Sequence, residues 1–371
     1  MRRTTFFFLL ASLAMALAAC IGGGGGHFTL TMEMEGQGTV RPKEGSHRIV
    51  RDTVVTVEAI PAEDWEFSHW AGDVAEPGER ETTVLVDGTK TVRAVFNDPS
   101  EHQADGVQFH MAIAPAATFP AGTDDSGEAT VFDDFWIMET PVTYELWYAV
   151  RQWALQNDYT FANGGREGSH GDTGHSPTSK RNEPVTGINW RDSIVWTNAL
   201  SEMLGRNPVY KYEWDVIRDS TDAAACDKAV QENTNGFRLP TSDEWELAAR
   251  FKGDDSSHGA IARSGLYWTP GSYASGATAS YDNATATEKV AWYNVASTQA
   301  VGSKGPNALG LFDMSGNVWE WTFTRDGSHR EVRGGSWSVA LRFVLQVGRP
   351  SRGDPGIVYD GVGFRPVRTA F

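Results

Sequence analysis

Cysteine is almost absent from this chain: only Cys20 and Cys226 occur in 371 residues. Cysteine-ligated zinc sites and iron–sulfur centres need several cysteines, and two distant residues cannot provide them. If Cys20 is consumed by a covalent modification, no intramolecular disulfide can form either. Cys226, in TDAAACDKAV, is then a lone structural or surface thiol.

Basic residues are also scarce, with 32 Lys and Arg against 48 Asp and Glu, for a formal net charge of −16. A protein that binds nucleic acid needs a basic surface against the phosphates, so this balance argues against nucleic acid as a partner. Like charge on every copy opposes self-association, which suits a protein displayed at a surface. Tryptophan is in excess instead, with 14 residues, and this side chain often occurs at binding surfaces.

The first twenty residues have the layout of a secretory signal. Arg2 and Arg3 precede a predominantly apolar run from Phe6 to Leu17, which is shorter than the roughly 20 residues of a membrane-spanning helix. The sequence LAAC at 17–20 resembles a bacterial lipobox, in which the cysteine is diacylated and becomes the mature N-terminus. An ordinary signal peptide with an incidental cysteine is the alternative.

The lipobox resemblance implies a signal peptide over residues 1–20, lipidation at Cys20 and a Gly-rich tether over residues 21–27. We therefore expect a lipid-anchored protein of the cell envelope, displayed at the outer membrane or cell surface. The lipid would provide its contact with the membrane.

Residues 28–97 alternate apolar and polar side chains in four stretches, FTLTMEMEG, TVVTVEAIP, TTVLVDG and TKTVRAVF. Alternation with a period of two predicts β-strands, and the glycines between them predict turns. EDWEFSHWAGD followed by KTVRAVF resembles the bacterial surface repeats related to the internalin B-repeat. This resemblance implies a small all-β, β-grasp-like module, which we interpret as a spacer. The polar stretch 98–106 is predicted to be a linker.

Residues 107–371 are rich in Gly, Asn and Asp and contain three segments with helical signals. We expect helices over 142–156, with Pro141 at the helix start, and over 190–204. The clearest helix is in LPTSDEWELAAR (239–250), where Thr241 and Glu244 have the spacing of a capping box and Trp245 faces inward with Ala248. Short strands and long loops are expected elsewhere, so the fold class is α+β.

Four motifs follow one another in the larger domain: NGFRLPTSDEWELAAR (235–250), PNALGLFDMSGNVWEW (306–321), VRGGSW (332–337) and GFRPVR (363–368). With ETPVTYELW and EPVTGINWRDSIVWTNALSEMLG upstream, residues 107–371 resemble the formylglycine-generating-enzyme, or sulfatase-modifying-factor, domain. That family has an elaborated C-type-lectin-like fold. The resemblance implies a C-type-lectin-like domain preceded by the small all-β module.

The catalytic cysteines of that family are missing. Formylglycine-generating enzymes bind copper and activate oxygen through two cysteines that follow the RGGS motif. Val339 and Val344 stand at those positions here, and valine neither ionises nor ligates copper. We therefore predict a non-catalytic branch of the family, with no catalytic residue and no required cofactor. His170 and His175, in SHGDTGH, are interpreted as part of a solvated loop. An oxidase that uses other ligands, or another enzyme of the family, is the alternative.

The resemblance also implies a structural calcium ion. In formylglycine-generating enzymes the segment equivalent to DMSGNVWEW wraps such an ion. Carried over by position, the ligands would be the carboxylates of Asp313 and Glu320 and the carbonyls of Gly316 and Val318. All are oxygens, as a hard cation requires. A turn held without metal by Asn317 and the neighbouring Trp pair is the alternative.

The segment between the last two motifs lacks a strand or helix pattern. Residues 338–362 contain no Glu, Lys, Met or Trp and a single Gln346. In this respect the chain resembles the variable proteins of diversity-generating retroelements. Several of these, including a treponemal variable lipoprotein, are built on the same sulfatase-modifying-factor domain. Error-prone reverse transcription rewrites their C-terminal segment at template adenines, and asparagine codons cannot reach Glu, Lys, Gln, Met or Trp in this way. The resemblance implies a variable segment over 337–362.

We expect this segment to bind an external protein or glycan, as variable loops on a rigid scaffold do. The predicted contact residues are Trp337, as a fixed anchor, with Ser338, Val339, Ala340, Leu341, Arg342, Phe343, Val344, Arg349, Ser351, Arg352, Gly353, Asp354, Gly356, Ile357, Val358, Tyr359 and Asp360. The competing interpretation makes Val339, Leu341, Val344, Leu345 and Val347 core strand residues. A structural lipoprotein with one fixed partner is the remaining alternative.

Overall fold

The computed structural model describes residues 26–62 and 65–370, which divide into two compact units after Asp98. The predicted signal peptide, the lipidation site at Cys20 and residues 21–25 of the predicted tether lie outside the described residues.

Over residues 26–62 and 65–98, the first unit contains seven strands in two sheets. The strands are β1 (His27–Glu35), β2 (Gly38–Arg41), β3 (Gly45–Val50), β4 (Thr53–Pro61), β5 (Glu66–Gly72), β6 (Glu81–Val86) and β7 (Lys90–Asn97). The sheets are ordered β3-β1-β7-β5 and β2-β4-β6, and β1 pairs in parallel with β7. Leu30, Val57 and Trp70 bring side chains from both sheets into one apolar core. Period-two alternation places these side chains inside, and the all-β prediction for this region is confirmed.

The second unit contains five α-helices within the part that the structure describes. They are α1 (Tyr144–Ala154), α2 (Trp190–Met203), α3 (Ala223–Asp227), α4 (Ser242–Arg250) and α5 (Ala284–Glu288). The three longest, α1, α2 and α4, confirm the three predicted helices. A short 3₁₀ turn, Arg342–Leu345, lies inside the segment predicted to be variable.

Side-chain caps set the helix boundaries. Thr143, rather than Pro141, precedes the first turn of α1, and its hydroxyl accepts the Leu146 N–H at 3.2 Å. The helix therefore begins at Tyr144, two residues later than predicted. The Thr143 hydroxyl can accept an N–H of the first turn, whereas proline has no side-chain acceptor. The capping box predicted for Thr241 and Glu244 is present at the start of α4.

The strands of the second unit are mostly short. They are β8 (Glu101–Ala104), β9 (Val107–Ala114), β10 (Ala117–Ala121), β11 (Gly127–Val131), β12 (Phe135–Met138), β13 (Arg166–Glu167), β14 (Val185–Thr186), β15 (Tyr210–Tyr212), β16 (Asp215–Val216), β17 (Val230–Gln231), β18 (Phe251–Gly253), β19 (Ile261–Arg263), β20 (Leu266–Trp268), β21 (Trp319–Asp326), β22 (His329–Arg333), β23 (Ser351–Gly353), β24 (Val362–Phe364) and β25 (Val367–Thr369). Two four-stranded sheets, β25-β12-β9-β8 and β23-β22-β21-β24, organise the unit. With the helices they give the predicted α+β class.

The predicted linker, residues 98–106, is partly structured. Glu101 to Ala104 form β8, which pairs antiparallel with β9 at the edge of its sheet. Ala104 is buried while Glu101 and Gln103 are exposed, so this polar stretch is a half-exposed edge strand. The linker prediction is wrong over these four residues, because an edge strand with one solvent-facing side needs few apolar residues.

Most of the large side chains in the second unit build its core. Trp147 and Trp196 stack in parallel with ring centroids 6.0 Å apart, and Phe364 meets both rings edge-on. Trp245 and Trp268 are fully buried in a neighbouring cluster. These contacts hold α1, α2, α4 and the C-terminal strands together, which positions the segment between the last two motifs.

Candidate functional site

The N-terminal flank of the segment, residues 332–336, is buried and held by charged groups. Arg333 binds the Glu246 carboxylate at 2.9 Å and donates to the Ser242 hydroxyl at 2.7 Å. Both charged side chains are 4% exposed, so the pair lies in the interior. Gly334 and Gly335 follow with φ of 96° and 80°, which glycine adopts without steric cost. The RGGS motif thus fixes where the segment begins.

The C-terminal flank, residues 361–368, is buried throughout. The Arg365 guanidinium binds the Glu320 carboxylate at 2.9 Å, and both side chains are fully buried. The same guanidinium donates to the carbonyls of Met138 and Phe312, at 2.8 and 2.6 Å. The GFRPVR motif therefore ties the end of the segment to three parts of the core.

Trp337 joins the two ends of the segment. Its backbone N–H donates to the Asn317 carbonyl at 2.8 Å, and the Val295 N–H donates to the Trp337 carbonyl at 3.0 Å. Its indole N–H donates to the Asp360 carbonyl at 3.2 Å, so residues 337 and 360 are held side by side. The half-buried ring lies between two mostly exposed runs, 338–341 and 357–360. Its role as a fixed anchor for a ligand stays a prediction.

The predicted contact residues differ in exposure. Those that are exposed are Ser338, Ala340, Leu341, Ser351, Arg352, Asp354, Ile357, Val358, Tyr359 and Asp360. Those that are half-buried are Trp337, Val339, Arg342, Phe343, Val344, Arg349 and Gly356. The remaining member, Gly353, is buried.

Gly353 is a framework position. It lies in β23, which pairs with β22, and a Cβ added there would lie 2.6 Å from Cη2 of Trp321. The prediction that it contacts a ligand is therefore corrected: the residue packs against the core. For Gly356, three residues further on, the groups nearest to an added Cβ are the Arg191 guanidinium and the Asp354 carboxylate.

The competing core interpretation is right for part of the segment. Leu345 and Val347 are fully buried, and Val339 and Val344 pack partly against the cluster that contains Leu345. Leu341 is 61% exposed, so the core interpretation fails for this residue. The segment thus enters the interior at 345–348 and emerges on either side.

The arginines of the segment contact neighbouring groups. Arg342 donates to the Tyr281 carbonyl at 3.0 Å, and the Arg349 guanidinium lies 4.8 Å from the centroid of the Phe343 ring. Arg352 pairs with Asp326 at 3.5 Å on the surface, where such a pair contributes little to stability.

His170 lies next to the anchor, a contact that sequence reasoning missed. Its ring centroid is 5.7 Å from that of Trp337, and its Nδ1 is 2.6 Å from the Ser169 hydroxyl. Ser169 is buried and bonds in turn to Thr298, so the loop is held from below. The sequence contains no signal for this contact, because 167 positions separate His170 from Trp337 and no periodic pattern links them.

The predicted calcium ligands lie around the start of β21. Asp313 is 2% exposed; its Oδ2 accepts the Gly302 N–H at 2.8 Å, and its Oδ1 has no hydrogen-bond partner in the described structure. Burial raises the pKa of Asp313 to about 6. Both oxygens of Glu320 are engaged by Arg365, and Oε2 also accepts the Trp245 indole N–H at 2.7 Å.

One oxygen of Asp313 is suited to a hard cation. A buried carboxylate oxygen that accepts no hydrogen bond is the kind of group that a cation satisfies. Glu320 would have to share its oxygens with Arg365. Within residues 26–62 and 65–370, no group of three or more His, Cys, Asp or Glu side chains is placed to hold a metal ion. The four-residue calcium site stays a prediction.

Cys226 is buried, and its Sγ lies 3.4 Å from the Asp219 carbonyl. Burial raises the pKa of its thiol to about 12, so it is protonated at neutral pH. A protonated, buried thiol is neither a nucleophile nor a metal ligand.

Among the described helices, none is long and apolar enough to cross a membrane.

Two family models match this chain. The sulfatase-modifying factor enzyme 1-like domain matches residues 95–370, and the divergent InlB B-repeat domain matches residues 28–100. Among solved structures, Treponema denticola variable protein 1 is similar with a TM-score of 0.55 and 28% identity, over 73% of this chain and 98% of that one. The predicted C-type-lectin-like fold is thereby confirmed.

Curated relatives carry different descriptions. The chaperone protein LppX of Paenibacillus barcinonensis is 26% identical over 229 residues, covering 53% of this chain and 74% of the relative. The inactive C-alpha-formylglycine-generating enzyme 2 of Bos taurus is 34% identical over 197 residues, covering 47% of this chain and 58% of the relative. One relative is thus described as inactive, which is compatible with a non-catalytic role.

Proposed function

The chain belongs to the sulfatase-modifying factor enzyme 1-like family, and we propose that it is a non-catalytic, surface-displayed lipoprotein that binds an external protein or glycan through residues 337–362. One observation carries the proposal: two mostly exposed runs, 338–341 and 357–360, are joined by the Trp337–Asp360 hydrogen bond between two buried flanks. Exposed residues on a fixed framework are the arrangement that tolerates substitution at a binding surface.

Diversification of this segment is the finer part of the proposal. It is supported by the absence of Glu, Lys, Met and Trp from residues 338–362 and by the likeness to a protein that is itself described as variable. The exposed runs would hold the diversified positions, while Gly353, Leu345 and Val347 would stay constant because they pack against the core.

Two valines support the absence of catalysis. Carried over by the motif spacing, Val339 and Val344 would stand at the positions of the family's catalytic cysteines, and both pack against an apolar cluster that includes Ala274 and Tyr293. Neither side chain can ligate copper or form a thiolate. We expect purified protein to retain no copper and to consume no oxygen above the buffer rate. Retained copper together with oxygen consumption would revive the oxidase alternative.

The experiment that tests binding exchanges the exposed runs and leaves the framework intact. Wild-type protein is applied to arrays of immobilised glycans and extracellular proteins, beside a variant with Leu341→Ser, Ile357→Ser and Tyr359→Ser. We expect array signals that the variant loses although its melting temperature hardly changes. A control with Val50→Ser, Val54→Ser and Leu85→Ser removes three exposed apolar side chains from the first unit and should keep the signals. Equal loss in variant and control would contradict the proposal.

Diversification has its own test in the DNA around the gene. We expect an untranslated copy of codons 333–368 beside a reverse-transcriptase gene, differing almost only where the copy has adenine. If no such copy exists, the segment is a binding surface of one fixed specificity.

A further inference from the structure

A cavity on the second unit contains no residue of the segment 337–362. Its volume is about 530 Å³, within the roughly 300–1,000 Å³ of typical ligand sites. It is lined by Thr130, Val131, Phe132, Asp133, Gln231, Glu232, Asn233, Arg238, Thr241, Asp243, Glu244, Thr324 and Thr369. The ends of β11, β17, β21 and β25 and the first turn of α4 meet here.

One large aromatic side chain of the cavity is left in solvent. Phe132 is 85% exposed, directly after β11, and only Trp214 exceeds it among the exposed large hydrophobic side chains that the structure describes. An exposed phenyl ring gains from a cation or an apolar surface placed on its face. The ring therefore offers a contact that the folded chain itself does not use.

Hydrogen-bond acceptors outnumber free donors in the cavity. Asp133, Glu232 and Asp243 form no ion pair with any described residue. Arg238 is the cationic side chain of the lining, and Glu244 binds it through two hydrogen bonds of 2.8 and 2.6 Å. These three carboxylates thus form no salt bridge, although the charge of Arg238 acts on Asp133 and that of Arg333 acts on Asp243.

A buried amide oxygen adds an independent sign that a donor is missing. Gln231 Oε1 is inaccessible to solvent and has no hydrogen-bond partner within the described residues. Leaving such an acceptor unpaired costs about 1–3 kcal/mol. A turn of this half-buried side chain toward the cavity would let a ligand N–H recover that energy. Partial burial raises the pKa of Asp243, and the charges of Glu246 and Glu331 raise it further, as expected where negative charge accumulates.

The start of α4 does not oppose a cation here. The first N–H groups of a helix carry partial positive charge. The Thr241 N–H donates to Glu244 at 2.7 Å, and the Glu244 N–H donates to the Thr241 hydroxyl at 3.1 Å, so both are already satisfied. An anion would meet these three carboxylates, and an apolar ligand would leave them unpaired.

We propose that this cavity binds an organic cation that carries ammonium or guanidinium groups. The ammonium groups bind Asp133, Glu232 and Asp243, and the Phe132 ring covers one of them. Such groups occur both in small polyamines and in lysine or arginine side chains of a basic polypeptide. The proposal is independent of binding through residues 337–362.

Isothermal titration of the purified protein at low salt tests it, with spermidine and acetyl-Lys-Lys-Lys-amide as probes. We expect one site per chain. Phe132→Ala should weaken binding about threefold, as for an exposed cation–π contact. Asp133→Asn with Glu232→Gln should weaken it about tenfold or more, since two of the three free charges are removed. Binding should also weaken between 20 and 300 mM NaCl.

Matched controls separate a site from general attraction to an acidic protein. Leu155→Ala removes another exposed apolar side chain, and Glu213→Gln with Asp254→Asn removes two exposed carboxylates elsewhere. Both should bind as the wild type does. Tighter spermidine binding would identify a small polyamine as the ligand, and tighter peptide binding a basic segment; either supports the proposal. Equal weakening in cavity and control variants, no saturable binding, or binding of uncharged maltotriose in place of the cations would overturn it.

Discussion

Two glycines three residues apart, both predicted to contact a ligand, should respond oppositely to alanine. In Gly353→Ala the new methyl group would lie 2.6 Å from Trp321 Cη2 and 2.9 Å from its Cζ3, both atoms of a fully buried ring. Trp321 cannot move away without disturbing the core, and overpacking of this kind costs about 1–3 kcal/mol. We expect a fall in melting temperature of about 2–4 °C for each kcal/mol.

Gly356→Ala is the matched control. Its methyl group would lie 3.0 Å from Arg191 Nη1, at the far end of a flexible side chain that also pairs with Asp227 at 2.9 Å. A small rotation of that guanidinium relieves the contact. Both substitutions stiffen the unfolded chain similarly, so that contribution cancels in the comparison.

Urea unfolding followed by near-UV circular dichroism measures the difference. We expect Gly353→Ala to be less stable than Gly356→Ala by about 1 kcal/mol or more. Equal stabilities would refute the placement of Gly353 in the framework. In that case β23 would not pack against Trp321, and residue 353 would return to the set of contact positions.

Three further outcomes follow from the same structure. Calcium should raise the melting temperature of the wild type and not of Asp313→Asn; an equal response in both would remove Asp313 from the ion's ligands. In chelator, Asp313 should lower the free energy of unfolding by about 2 kcal/mol as the pH rises from 4 to 7, since its pKa is raised to about 6 and folding then disfavours its ionised form; Asp313→Asn should remove this contribution, and an unchanged pH profile would contradict it. Cys20→Ser should move the protein from the membrane fraction to the soluble fraction after cell lysis, and continued sedimentation with membranes would argue against lipidation.

Local signals in the sequence predicted the parts of the fold that local physics decides. The capping box of Thr241 and Glu244 is closed by groups three residues apart, and period-two alternation marks the strands of the first unit. The family motifs identified both flanks of the segment. These features depend on neighbours in the chain, which a single sequence displays directly.

The missed features depend on partners far apart in the chain. Gly353 is buried because β23 pairs with β22 and meets Trp321, and no spacing rule reveals that register. His170 reaches Trp337 from a glycine-rich loop that has no periodicity. Residues 101–104 read as a polar linker because one face of an edge strand needs no apolar side chains.

The tryptophan excess also has a structural explanation. Of the 14 tryptophans, seven are among the largest fully buried side chains: Trp70, Trp147, Trp190, Trp196, Trp245, Trp268 and Trp321. Six of them lie in the second unit, so most of the excess there builds the core. The expectation that abundant tryptophan marks binding surfaces stays a prediction for accessible residues such as Trp337 and Trp214.

The division between core and segment explains how such a fold can vary in sequence. The two flanks are fixed by buried ion pairs, Arg333 with Glu246 and Arg365 with Glu320. Burying these charges costs desolvation energy, so the pairs contribute less to net stability than to holding one arrangement of the chain. Net stability comes instead from the aromatic core, which lies mostly outside residues 337–362. We therefore expect substitutions at Leu341 or Tyr359 to leave both the arrangement and the core unchanged, and substitutions at 345, 347 or 353 to disturb them.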